Sequence, residues 1–134
     1  GFLARLDLVL ALEPKVVFVE GGINDLIAGR KAKYVACLYE ELLLKILSSD
    51  VRPVVTLTFY VRHAEQINPQ VTVLNNLLKA ICEKNRIQYI DINPVMAPNA
   101  LLDDQYTYDG LHLNAEGYRV WRDAVLEYLQ QNPI

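Results

Sequence analysis

Lys15-Val16-Val17-Phe18-Val19-Glu20 is a near-continuous apolar run, rich in β-branched residues and closed by Gly21-Gly22. A strand with one wet face alternates polar and apolar residues, whereas a run that is apolar throughout fits a parallel sheet covered on both faces. Upstream, Leu3, Leu6 and Leu10 within residues 2–12 recur at helical spacing, and Pro14 cannot continue that helix. Downstream, Val35, Leu38, Leu42 and Ile46 predict a second amphipathic helix ending near Ser48-Ser49-Asp50. Pro53 and residues 54–58 supply a second strand. Leu74, Leu77, Leu78 and Ile81 mark a third helix, and residues 87–92 a third strand after the turn-like Lys84-Asn85-Arg86. A long connection, residues 93–113, leads to a last helix carrying Tyr118, Trp121, Val125 and Leu129, whose register predicts Trp121 in the core. Alternating helices and strands predict an α/β fold with a parallel sheet and helices on both faces.

The chain has 134 residues, 52% of them apolar and 22% charged, the composition expected of one globular domain over residues 1–134. Thirteen Lys and Arg against sixteen Asp and Glu give a formal charge of −3. With no basic cluster, a nucleic-acid or anionic-membrane partner has no electrostatic footprint. Apolar runs fall well short of the ~20 residues of a membrane-spanning helix. Cys37 and Cys82 stand in no metal-ligand spacing and form no disulfide framework; each reads as buried helical packing, and the compartment stays open.

In parallel sheets, ligands bind beyond the carboxyl ends of the strands. Residues 21–29, 59–68 and 93–114 follow the three strands and should share that rim. In the first, Gly21 and Gly22 let the backbone turn and approach a ligand, and Asn24 can aim its amide into the cleft. The same Gly-Gly-x-Asn-Asp also serves as a plain strand-to-helix turn, with Glu20 and Asp25 holding it. No dinucleotide or P-loop glycine pattern is present. In the last loop Asp109 and His112 stand three apart. A carboxylate there can fix the imidazole tautomer and leave Nε2 to accept a proton, although Asp109 can equally cap the turn. Tyr60, with Phe59, Arg62 and His63, either lines a substrate pocket or packs within its own loop. Tyr106 and Tyr108 either wall the cleft or anchor the long loop. Asp103-Asp104 read as a solvated acidic loop rather than a cation site.

Gly22-Ile23-Asn24-Asp25 matches a G-x-N-D block and Asp109-Gly110-Leu111-His112-Leu113-Asn114 a D-G-x-H-x-N block. Their order, spacing and places after strands resemble the SGNH (GDSL-like) esterase and lipase family. The resemblance implies a flavodoxin-like, three-layer α/β/α hydrolase acting on small carboxylic esters through an acyl-enzyme. Asp109 and His112 would complete a Ser-His-Asp triad and Asn24 would donate to the oxyanion; no metal or organic cofactor is implied. Gly22, Tyr60 and Tyr108 are candidate substrate contacts by their places on the rim loops. The family's G-D-S block has no counterpart in residues 1–134, so the nucleophilic serine is expected on a segment upstream of residue 1. Ser48 and Ser49, the only serines, close a helix at the opposite rim.

In the sheet order 2-1-3-4-5 the strand at Val16 would be the third, with an inner neighbour outside these residues. Its open edge would then suit an amino-terminal companion fragment or a second copy. The native polypeptide is expected to be longer at its amino end by about two βα units, ~50–70 residues. A small soluble ester or an acetylated sugar is the expected substrate. The competing reading is a non-catalytic flavodoxin-like binding module without a nucleophile.

Overall fold

Three strands, β1 (Val16–Val19), β2 (Arg52–Thr56) and β3 (Gln88–Ile90), pair in parallel in the order β1-β2-β3 in the computed structural model, which describes residues 1–134. The register sets Phe18 beside Val54 and Val54 beside Gln88. Because side chains alternate across a strand, Val55 faces one layer of helices and Val54 the other.

On the first face lie α1 (Phe2–Leu10), α3 (Ala32–Ser48) and α4 (Asn68–Asn85). Val35, Tyr39, Leu43 and Ile46 of α3 meet Val71, Leu74 and Leu78 of α4 over Val19, Val55 and Leu57, all nearly water-free. Removing each large aliphatic side chain from water contributes roughly 1.5–3 kcal/mol. The two helices also share a cap: Lys31 has no capping side chain, and Gln70 Oε1 accepts from the Ala32 N–H at 3.0 Å. On the second face α6 (Ala115–Gln131) lies over Val54, Ile90 and Ile92, with Phe18 and Tyr128 edge to face at 5.8 Å. These layers are the expected α/β architecture.

Three local expectations change. Cys37 is exposed, because α3 buries Val35, Ala36, Tyr39, Leu42 and Leu43, and position 37 points the other way; Cys82 is buried as expected. Trp121 is only half-buried, its indole N–H donating to Thr56 Oγ1 at 3.3 Å. Two short helices, α2 (Ile23–Ile27) and α5 (Asn93–Met96), stand in stretches expected as loop. The open edge expected of the Val16 strand is present: β1 pairs only with β2, and its first three residues are half-buried. Beside that edge runs an apolar groove of about 270 Å³, lined by Phe2, Leu6, Val9, Val17 and Phe18.

Candidate active site

The loop between α5 and α6 is built around a buried threonine. Thr107 forms an isolated antiparallel bridge with Leu113, and its hydroxyl donates to the His112 carbonyl at 2.6 Å while accepting the Gly110 N–H at 2.9 Å. Residues 107–113 thereby close into a tight ring. Gly110 takes φ +83°, and a Cβ there would lie 2.7 Å from His63 Cγ and 3.0 Å from the His63 backbone nitrogen. Glycine is therefore required twice, by backbone conformation and by space. After the ring, Asn114 starts α6 by accepting the Gly117 N–H at 3.1 Å.

At the tip of the ring, one oxygen of Asp109 accepts the backbone N–H groups of Leu111 (2.9 Å) and His112 (2.7 Å). The other lies 2.6 Å from His112 Nδ1. The hydrogen bond from the His112 ring, followed by those from the backbone, holds the Asp109 carboxyl down at about 2, against an ordinary 3.8. An ionised carboxylate only accepts, so Nδ1 carries a proton, and in the neutral ring Nε2 presents a lone pair. The imidazole is largely exposed, and Tyr108 stacks on it with centroids 6.0 Å apart.

The first loop is shaped for close approach. The Gly21 carbonyl accepts from Tyr39 (3.0 Å) and Thr58 (2.8 Å), and Gly22, at φ +107°, fits under Leu74 and Thr58. Tyr39 and Thr58 hold this turn, the role expected of Glu20 and Asp25. Asp25 instead pairs with Arg30, while Glu20 lines the cavity and burial pushes its carboxyl up. Asn24 is exposed on α2 and lines a cavity of about 480 Å³ with Gly21, Gly22, Arg30 and Tyr39.

The structure thus brings Asp109 together with His112 and Tyr108 on the α5–α6 loop, and sets Gly22 and Asn24 on one cavity where β1 gives way to α2. Tyr60 stands apart: its hydroxyl bonds Thr72 Oγ1 at 2.9 Å beside a separate cleft of about 310 Å³. The acidic residues of the long loop are engaged singly, Asp103 capping Gln105, Asp104 pairing with Arg62 and Asp109 with His112. Thr107 and Thr58 escape sequence reading; the signal they offer is a Thr two positions before an Asp-Gly turn and one just past a strand.

The model of the GDSL-like Lipase/Acylhydrolase family matches residues 1–120. The chain belongs to the GDSL-like lipase/acylhydrolase family. A GDSL-like lipase of Bacteroides thetaiotaomicron superposes with a TM-score of 0.89 at 20% identity, over 97% of this chain and 69% of that one. An acetyl xylan esterase superposes with a TM-score of 0.82 at 19% identity, over 96% of this chain and 73% of that one. Both likenesses are of fold. An N-acylneuraminate cytidylyltransferase of Streptococcus agalactiae is 28% identical over 100 residues, which are 74% of this chain. The chain spans 24%, about a quarter, of that relative's length. Membership of a family of lipases and acylhydrolases supports a hydrolase.

Proposed function

We propose that these residues supply the base, its orienting carboxylate and one oxyanion donor of a serine esterase acting on small carboxylic esters. The observation that carries the reading is the 2.6 Å contact between Asp109 and His112 Nδ1, with Nε2 left open at the rim. The nucleophile comes from a segment outside residues 1–134, because Ser48 and Ser49 both donate to the Lys45 carbonyl at the carboxyl end of α3, away from that rim. The free edge of β1 and its apolar groove suit a strand of that segment.

In this mechanism the serine hydroxyl attacks the ester carbonyl while His112 Nε2 takes its proton, and Asp109 stabilises the resulting imidazolium. The Asn24 amide donates to the oxyanion, where its hydrogen bond gains most. His112 then returns the proton to the leaving alcohol. Water, deprotonated by the same nitrogen, releases the acid and restores the serine. An acetylated sugar is the favoured substrate, a reading supported by the N-acyl sugar in the relative's name and the acetyl xylan in the structural neighbour's.

A second reading, a non-catalytic module that recruits a partner by strand addition, is favoured by the same open β1 edge. A fluorophosphonate that labels activated serines separates the two. One label on the native polypeptide, at a serine outside residues 1–134 and lost in His112→Ala, is expected of the esterase. Absence of any label removes the esterase reading and leaves the binding module.

A further inference from the structure

Arg62 lies in the loop that leaves β2, yet its strongest contacts run to the loop that carries Asp109 and His112. Its Nε donates to the Leu102 carbonyl at 2.7 Å and lies 3.0 Å from Oδ1 of Asp104. Its backbone N–H donates to the Gly110 carbonyl, also at 2.7 Å. One residue therefore holds residues 102–110 at both ends, the near end through its side chain and the far end through its main chain.

Neighbouring residues repeat the arrangement. Asn68 exchanges hydrogen bonds with the backbone of Val61 and donates to the Ala100 carbonyl at 3.0 Å, and His63 packs on Gly110. The ion pair with Asp104 counts for little on its own, because that carboxylate is 77% exposed. The bond to the Leu102 carbonyl differs, since the Arg62 side chain is only 27% exposed and its donor is charged.

The Asp109–His112 contact is made inside the ring of residues 107–113 and needs nothing from outside it. What the ring cannot set is its own place at the rim relative to the first loop. We infer that Arg62 is a positioning residue that docks this ring on the exit of β2 and so fixes where His112 Nε2 points. The inference rests on reading Asp109 and His112 as the proton-transfer pair. Misplacing such a pair by 1 Å costs roughly 10²-fold in rate.

The experiment compares wild type, Arg62→Ala and Arg62→Lys by amide hydrogen exchange and by ester turnover. In Arg62→Ala the amides of residues 103–114 should exchange about tenfold faster while those of Val54 and Val55 in β2 keep their rates, a local opening rather than a global loss. In the enzyme with its serine, kcat should fall by about tenfold or more with KM within about twofold, and Arg62→Lys should recover part of it. Equal acceleration in loop and strands, or unchanged kcat, overturns the inference. Should Arg62→Ala fail to fold, Arg62→Gln, which keeps a donor without the charge, should show the same local pattern at about threefold, and its absence there overturns the inference. The exchange readout needs no ester. Local opening in Arg62→Ala with no turnover from wild type would keep the docking role and remove the hydrolase reading. Turnover that depends on His112 but ignores Arg62 would remove the docking role alone.

Discussion

The hydroxyl of Thr107 donates to the carbonyl of His112 across 2.6 Å, so the residue that carries the proposed base is held through its backbone by a buried side chain five positions earlier. The same oxygen accepts the Gly110 N–H, which closes the ring from inside. Thr107→Val keeps the shape and leaves two backbone groups without partners. The expected cost is roughly 1–3 kcal/mol of stability, read as a lower midpoint in denaturant unfolding. A midpoint equal to wild type would mean that water replaces the hydroxyl without loss.

Gly110→Ala should be more damaging than its size suggests. The new methyl meets both the His63 ring and the His63 backbone nitrogen, at a φ of +83° that alanine rarely adopts. A loss of about 1–3 kcal/mol is expected. Truncating His63 to Ala in the same chain should recover only part, because it removes the ring contact and leaves the backbone contact and the strained φ. Full recovery in that double-mutant cycle would show that the ring alone demands glycine.

Acid should weaken the ring in a defined window. The Asp109 carboxyl is held at about 2, chiefly by the His112 side chain and then by the backbone N–H groups of His112 and Leu111, against an ordinary 3.8. Between those values the unfolded chain binds the proton more readily. The stabilisation is therefore fully present above the ordinary value and is lost as pH falls toward the folded one. Thermal melts of wild type and Asp109→Asn should differ above about 4 and converge as pH falls toward about 2. A difference that persists undiminished at the acid end would contradict this.

The architecture was legible wherever a pattern repeats often enough to declare its period. α3 and α4 each present apolar residues over several turns, and Val16–Val19 reads as strand because four β-branched or aromatic residues stand together. α2 and α5 are each a turn or so long, too short for a period, and Pro94 in the first turn of α5 reads as a break. The apolar sequence of β1 signals a strand made for cover on both faces, and its expected place in the sheet order already left one edge open, as its pairing with β2 alone bears out.

At the candidate site, Asp109 and His112 were legible because they are three residues apart on one turn. Thr107 was not, since a threonine in a polar loop looks exposed until the ring closes over it. Arg62 was not either, because its contacts at Leu102 and Asp104 lie about forty residues away along the chain. Cys37 misled for a simpler reason. Helical membership does not say which face a residue takes, and one position separates it from buried Ala36.

In the proposed chemistry His112, oriented by Asp109, moves the proton in ester hydrolysis. The most direct measurement is the turnover of a small acetyl ester by the serine-bearing enzyme and by its His112→Ala variant, with the fold of each checked by circular dichroism. A fall in kcat of roughly 10²–10⁴ with the fold unchanged is expected of His112→Ala. Turnover by His112→Ala within about twofold of wild type would contradict it.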